Sequence, residues 1–227
     1  MMEDFLKIVV LIALFVCPAL WLMSAFRASK TGPTVVMCGP SDAGKTALMV
    51  YLARGKHVES QTSQAVNTIS LTTKRGAVTV IDTPGNFRLL PEAMKYIERA
   101  TSLIFVVDSA DKHSFKMAAQ QLVDILLNAK VAANDPSLLF VANKTDVLGS
   151  RDPETVLHFV QLEAERILKA YKSEAHMKNI PPDSMHILNR LSQENFSIYN
   201  TTLQVALCGV SVKAGDVTDV LSFVEKH

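Results

Sequence analysis

Residues Gly39–Thr46 read GPSDAGKT and match the pattern G-x-x-x-x-G-K-[ST]. The apolar run Thr34–Met37 precedes them and predicts a strand, and the residues from Lys45 to about Ala53 predict a helix. A glycine-rich loop between a strand and a helix is the context of a phosphate-binding loop, because its backbone amides and the helix N-terminus can surround phosphate groups. We therefore expect nucleotide phosphates to contact Gly39, Pro40, Ser41, Asp42, Ala43, Gly44, Lys45 and Thr46.

Two side chains of this loop and a second motif complete the predicted phosphate site. The Lys45 ammonium can reach the β- and γ-phosphates, and the Thr46 hydroxyl is placed for Mg²⁺. The motif Asp-Thr-Pro-Gly at residues 82–85 follows a predicted strand. Its Asp82 can hold the metal, commonly through water, and the Gly85 amide can sense the γ-phosphate. The sequence thus predicts a Mg²⁺ site beside the γ-phosphate.

A third motif predicts which base the nucleotide carries. It follows the predicted strand Leu138–Ala142 and comprises Asn143, Lys144, Thr145 and Asp146. A carboxylate at Asp146 can accept both the ring N–H and the exocyclic amine protons of guanine, a demand that adenine cannot meet. After the last predicted strand, backbone N–H groups can reach the guanine oxygen from Ser211, Val212 and Lys213. The expected ligands are therefore GTP and GDP, with Mg²⁺.

Apolar runs and helical periodicities alternate along the rest of the chain. The predicted strands after Thr34–Met37 are Ile69–Thr73 and Ala77–Ile81, which form a hairpin, then Leu103–Val107, Leu138–Ala142 and Leu203–Cys208. The further predicted helices are His113–Lys130, Pro153–Lys172 and Gly215–Glu225. This alternation indicates an α/β fold with a mostly parallel sheet and helices on both faces. Residues 173–202 lack a periodic pattern and predict an inserted, irregular loop.

The N-terminal segment 8–26 (IVVLIALFVCPALWLMSAF) carries no charge. As a helix it would be about 28 Å long, close to the roughly 30 Å hydrocarbon core of a bilayer. Arg27 and Lys30 follow it, so the positive-inside rule places the later chain in the cytosol. A cleavable signal peptide is the alternative, with a poor n-region. The expected organisation is a lumenal N-terminus at 1–7, a transmembrane helix at 8–26, a linker at 27–33 and a domain at 34–227.

The charge balance excludes one class of function. Lysine and arginine number 23 and aspartate and glutamate 22, which gives a formal net charge of +1. Proteins that bind nucleic acids by bulk phosphate neutralisation carry a clear excess of positive charge. We therefore expect no direct sequence-specific binding of nucleic acid.

Taken in order, the motifs GPSDAGKT, DTPG, NKTD and SVK resemble those of Ras-like small GTPases over residues 33–227. The phrases VVDSAD at 106–111 and AGKT at 43–46 resemble the Arf-like branch. An Arf-like domain behind one membrane helix, with an insertion before the last strand, resembles the family of signal recognition particle receptor beta subunits. The resemblance implies a P-loop GTPase with GTP or GDP and Mg²⁺. It also implies an endoplasmic reticulum membrane location, a heterodimer with the receptor alpha subunit, and the ribosome or translocon as further candidate partners.

Two site residues follow from the resemblance alone. Residues 61–63 (QTS) are similar to the family's switch I, which implies that Thr62 binds Mg²⁺ in the GTP state, with Ser63 as the alternative. After D-x-x-G, Ras and Arf proteins carry a water-orienting glutamine and the receptor subunit commonly a histidine, whereas this chain has Asn86. Asparagine is one methylene shorter than glutamine, and misplacement by about 1 Å can cost roughly 100-fold in rate. We predict Asn86 and Gly85 as the catalytic positions of a GTPase with slow intrinsic hydrolysis.

Three functions fit these residues. The first is a membrane-anchored guanine-nucleotide switch that docks the alpha subunit at the endoplasmic reticulum for co-translational protein targeting. The second is a GTP-holding structural anchor with negligible turnover. The third is another Arf-like trafficking GTPase, although residues 1–3 (MME) lack the glycine that accepts a myristoyl chain.

Overall fold

The structure, a computed structural model, describes residues 32–57, 65–174, 181–192 and 196–226. The predicted transmembrane segment 8–26 and the predicted switch I residues Thr62 and Ser63 lie outside these ranges. Among the described residues, no helix combines the length and the apolar character needed to cross a membrane.

A sheet of six strands organises the part of the chain that the structure describes. Its strands are β1 (Thr34–Cys38), β2 (Asn67–Thr73), β3 (Gly76–Asp82), β4 (Ser102–Asp108), β5 (Ser137–Asn143) and β6 (Val205–Gly209). Their spatial order is β2-β3-β1-β4-β5-β6, and every neighbouring pair is parallel except β2 with β3. The predicted mostly parallel sheet and its hairpin are therefore confirmed.

Helices cover both faces of this sheet, as predicted. They are α1 (Lys45–Arg54), α2 (Leu90–Ile97), α3 (Lys112–Leu126), α4 (Ala129–Asn134), α5 (Pro153–Ser173), α6 (Pro182–Leu191) and α7 (Thr218–Lys226). Apolar side chains of α2, α3, α5 and α6 form one buried cluster with one face of the sheet, and those of α1 and α7 form another with the opposite face. The central strands β1, β4 and β5 are almost wholly buried because both of their faces are covered.

The sheet brings three predicted site residues, and one that the sequence did not predict (Asp108), to one edge. Asp82, Asp108 and Asn143 are the last residues of β3, β4 and β5, and Gly39 directly follows β1. In the register of the parallel pairs, Met37 lies opposite Asp82, and Asp108 lies opposite Asn143. Because parallel strands end at the same edge, ligands of such sheets bind beyond their carboxyl ends.

Three helices differ from the sequence-based prediction. The single helix predicted over His113–Lys130 is wrong, since α3 ends at Leu126 and the Asn128 side chain caps α4 by accepting bonds from the backbone N–H groups of Lys130 and Val131. Helix α2 lies outside the predicted helices; it has eight residues, of which Ala93 and Ile97 are buried. Helix α7 begins at Thr218 rather than at Gly215, whose φ of 82° is left-handed.

The prediction of an irregular loop over 173–202 is also wrong where the structure describes this segment. It contains α6 and a short 3₁₀ turn at Ile198–Asn200. Pro182 is the first residue of α6, where a backbone N–H would have no partner within the helix, so proline costs no hydrogen bond there. Pro181 and Pro182 therefore start a helix rather than break one. Ile187, Leu188 and Leu191 bury one face of α6 in the core.

This packing predicts that α6 contributes to the stability of the whole domain. Leu188 is fully buried, so Leu188→Ala should lower the free energy of unfolding by about 2–5 kcal/mol, measured by urea denaturation. The neighbouring Asn189 is exposed, and Asn189→Ala should change it by less than about 0.5 kcal/mol. Equal unfolding midpoints for the two variants would contradict the burial of α6.

Candidate nucleotide-binding site

The loop after β1 has a backbone that requires glycine at two positions. Gly39 and Gly44 have φ values of 128° and 90°, which side chains disfavour. A Cβ atom on Gly39 would overlap the carbonyl oxygen of Val106, and one on Gly44 would overlap the amide nitrogen of the Asn143 side chain. The loop therefore lies directly against the ends of β4 and β5, and its shape depends on this close approach.

Lys45 closes this loop on itself. Its buried Nζ donates a 2.7 Å hydrogen bond to the carbonyl oxygen of Pro40. Burial lowers the pKa of this ammonium, while the Asp82 carboxylate and other nearby groups oppose the shift. Backbone amides of such a loop, together with a lysine ammonium, form an arrangement that can bind phosphate groups.

Thr46 and Asp82 meet beside the lysine and form the candidate metal site. The Thr46 hydroxyl donates to Asp82 Oδ2 at 2.7 Å, and Asp82 is fully buried. Burial raises the pKa of this carboxyl, and the bond from Thr46 opposes the shift. Its other oxygen, Oδ1, is buried and has no hydrogen-bond partner among the residues that the structure describes. Mg²⁺ is usually bound by one or two carboxylates together with water and substrate phosphates, so these oxygen donors fit it.

Gly85 lies against the phosphate loop. A Cβ atom here would overlap the backbone nitrogen of Ser41 and approach Lys45 Nζ to 2.6 Å. Its carbonyl oxygen accepts a buried 2.7 Å bond from the side-chain amide of Gln121 on α3. The Gly85 backbone is thus placed where a terminal phosphate would meet the loop.

The next residue, Asn86, is exposed and its side chain is engaged locally. Its Oδ1 accepts a 3.0 Å bond from the backbone N–H of Arg88 and caps the 3₁₀ turn Phe87–Leu89. The structure therefore brings Gly85, but not the Asn86 side chain, into contact with the phosphate loop. The role of Asn86 in positioning water remains a prediction.

The base-binding motif is tied to the phosphate loop. Asn143 Nδ2 donates a buried 2.8 Å bond to the carbonyl oxygen of Ala43. Lys144 has a left-handed φ of 65°, and its ammonium pairs with Asp108 at 2.7 Å. These contacts fix the segment that leads to Asp146.

Asp146 accepts a 2.6 Å hydrogen bond from the hydroxyl of Ser211. This bond is the main reason why the pKa of Asp146 lies below its ordinary value, and the Lys213 ammonium adds to the effect. The Ser211 oxygen in turn accepts from the backbone N–H of Ala214. The carboxylate predicted to bind guanine is thus held ionised and oriented, while Val212 beside it is buried.

Sequence reasoning missed two residues of this site. Gln121 supports Gly85 from the third helix and belongs to no recognisable motif, so only its burial identifies it. Asp108 belongs to the segment VVDSAD, which in the sequence supports only the resemblance to the Arf-like branch. Its position at the end of β4, opposite Asn143, was the signal that could have assigned it.

Known proteins of one family are similar to this chain. The family model described as "Signal recognition particle receptor beta subunit" matches residues 30–204. The chain belongs to the family of signal recognition particle receptor beta subunits. The mouse (Mus musculus) signal recognition particle receptor subunit beta is 32% identical over 165 residues, which cover 69% of this chain and 59% of the relative. The chain thus spans less than two thirds of the length of the curated relatives it matches.

Two solved structures support this family assignment at the level of the fold. The structure of the mammalian signal recognition particle receptor superposes with a TM-score of 0.71 and 25% identity, over 85% of this chain and 98% of the other. The receptor SRb-GTP/SRX complex of Chaetomium thermophilum superposes with a TM-score of 0.60 and 20% identity, over 81% and 92% of the two chains. The predicted small GTPase fold is confirmed.

The hydrogen bond from Ser211 to Asp146 predicts how GTP binding by this beta-subunit family member depends on pH. The predicted guanine contact uses the ionised Asp146 carboxylate, whose lowered pKa keeps it ionised to a lower pH than usual. In Ser211→Ala the pKa should return toward its ordinary value, so GTP affinity should begin to fall at a higher pH as the solution is acidified. Equilibrium binding of a fluorescent GTP analogue across the acidic range measures this.

Ser173→Ala is the matched control, since within the described residues this exposed hydroxyl donates only to the carbonyl oxygen of Ala170 in its own helix. It should leave the pH profile of the unmodified chain unchanged. Superimposable profiles for Ser211→Ala and the unmodified chain would contradict the proposed orientation of Asp146.

Proposed function

We propose that this chain is a membrane-anchored guanine-nucleotide switch that docks the receptor alpha subunit at the endoplasmic reticulum for co-translational protein targeting. The observation that carries the proposal is the bond from Asn143 to Ala43, because it joins the predicted guanine-binding motif to the predicted phosphate-binding loop in one site. A structurally similar protein, the SRb subunit of Chaetomium thermophilum, was solved as an SRb-GTP/SRX complex. This similarity supports GTP as the nucleotide and a second receptor subunit as the protein partner.

Within this proposal each residue has a separate task. The amides of residues 39–46 and the Lys45 ammonium bind the phosphates, Asp146 selects guanine, and backbone N–H groups of Ser211, Val212 and Lys213 contact its oxygen. Mg²⁺, when bound, neutralises phosphate charge, and the residues that would hold it are Thr46, Asp82 and Thr62.

We also infer that hydrolysis is slow and that the GTP state is long-lived. Asn86 is shorter than the glutamine of related GTPases, and its side-chain oxygen is occupied by the backbone of Arg88. The same observation favours a second candidate, a structural anchor that holds GTP with negligible turnover. Single-turnover hydrolysis with and without the alpha subunit separates them, because a partner-stimulated rate is expected only of the switch.

The membrane part of the proposal rests on the uncharged segment 8–26 and the basic residues that follow it. It assigns 1–7 to the lumen, 27–33 to a linker and 34–227 to a cytosolic GTPase domain. The full chain should then resist extraction by alkaline carbonate. The ribosome or translocon is the further partner that this location would bring within reach.

Base specificity tests the nucleotide site directly. The unmodified chain should reject ATP relative to GTP by roughly 10⁴-fold, because adenine leaves the Asp146 carboxylate unpaired. Asp146→Asn should weaken GTP and favour xanthosine triphosphate, whose exocyclic oxygen can accept from the new amide. Competition binding measures both, with the exposed, distant Asp135→Asn as control. Equal competition by ATP and GTP would contradict the guanine assignment.

Partner binding tests the switch. A partner that contacts both switch segments must prefer the state that orders them, and by linkage it retains GTP equally strongly. The full chain loaded with a non-hydrolysable GTP analogue should capture the soluble alpha subunit. Thr46→Asn, which removes the hydroxyl bonded to Asp82, should abolish capture. Capture that is identical with GTP, with GDP and without nucleotide would contradict the switch and leave the structural anchor.

A further inference from the structure

A groove outside the nucleotide site runs along α3 and α5. Its first cavity, of about 580 Å³, has apolar walls of Phe115, Met117 and Phe159. A second cavity, of about 440 Å³, adjoins it, because Lys116 and Met117 line both. We call these two cavities the α3–α5 groove.

The walls of this groove expose large apolar side chains that nothing in the described chain covers. Met117 is 45% exposed, Phe159 is 42% exposed, and Phe87, which lines the second cavity, is 53% exposed. Scattered exposed apolar residues are ordinary, but a cluster that lines adjoining cavities marks an interaction site. The groove therefore has the shape and surface of a docking site.

The rim of the groove is positively charged. Lys112, Lys116 and Arg151 line the first cavity, and among the described residues none of them forms an ion pair. The one carboxylate in the lining, Glu163, is already paired with Arg166. This imbalance favours a negatively charged occupant.

Arg151 is held in place for such an occupant. Its guanidinium carbon lies 5.6 Å from the ring centroid of Phe115 and 5.9 Å from that of Phe159, whose rings stack on each other. Its Nη1 is buried without a hydrogen-bond partner in the described chain. A planar guanidinium fixed by aromatic rings is suited to a carboxylate, because its N–H groups form a planar fork that matches the two carboxylate oxygens.

We propose that the α3–α5 groove binds an acidic amphipathic segment of a partner protein. Two large apolar side chains of the segment occupy the two cavities, and its carboxylates contact Arg151 and Lys116. The lining of the cavities shifts along α3 by about one turn, so anchors at positions i and i+4 of a helix match it. Two concave cavities favour side chains over the flat surface of an anionic membrane. This site requires no part of the proposed nucleotide chemistry.

The test uses the purified full chain in detergent micelles and two fluorescein-labelled helical peptides. The first carries phenylalanine and leucine at i and i+4 with glutamates elsewhere, and the second has every glutamate replaced by lysine. Fluorescence anisotropy should show that the acidic peptide binds at least about tenfold more tightly than the basic one.

Charge reversals locate the binding. Arg151→Glu should weaken the acidic peptide by about tenfold or more. Lys116→Glu should also weaken it, and because Lys116 is exposed this variant keeps the fold. Lys172→Glu makes the same charge change at an exposed position of α5 outside the groove and should have no effect. Unchanged GTP binding by Lys116→Glu separates a result on the groove from a result on the nucleotide site.

Three outcomes would overturn the proposal. Equal affinity for the two peptides, or no binding of the acidic one at about 1 mM, would remove the charge argument. Full affinity in both groove variants would place the peptide elsewhere. Competition for the peptide by soluble glycerophosphoserine, but not by glycerophosphocholine at the same concentration and ionic strength, would assign the groove to lipid headgroups.

Discussion

The buried hydrogen bond from Asn143 to the carbonyl oxygen of Ala43 is the contact on which the nucleotide site depends. It joins β5 to the loop after β1, although 100 residues separate the partners. Gly44 must lack a side chain to allow it, since a Cβ there would overlap the asparagine amide. This contact, together with the paired strands β1, β4 and β5, holds the phosphate loop beside the base motif. A buried amide that lost its acceptor would remain unsatisfied at a cost of about 1–3 kcal/mol.

The same edge of the sheet holds two ionisable groups in an environment that opposes their charge. Burial lowers the pKa of Lys45 and raises that of Asp82, and each supplies charge that partly offsets the shift of the other. In the proposed function a phosphate and its cation would bring opposite charges to Lys45 and Asp82, so the burial of these two groups would favour binding. Asp146 differs, because it is exposed and is kept ionised by a neighbouring hydroxyl.

The sequence predicted the strands and the strand ends well because local patterns encode them. Apolar runs mark buried parallel strands, and the polar motifs that follow them must share one edge. What it could not predict depends on long-range contacts. Gln121 looks like any polar helical residue until α3 places it under Gly85. The short helix α6 was not predicted because Pro181 and Pro182 interrupt the helical periodicity of the sequence. In the fold they begin the helix, whose Leu188 packs in the core.

Helix α3 contributes both to the candidate nucleotide site and to the α3–α5 groove. Its buried side holds the Gly85 carbonyl through Gln121, and its outer side forms the α3–α5 groove. Gln121 and Phe87 also line the second cavity. Gln121 is hydrogen-bonded to Gly85, the glycine that lies against the phosphate loop, and Phe87 is two residues after it. A segment that fills the groove therefore contacts neighbours of this glycine. Linkage is reciprocal. A nucleotide that changes the affinity of the groove through Gly85 and Phe87 is, by the same factor, changed in its own affinity by an occupant of the groove.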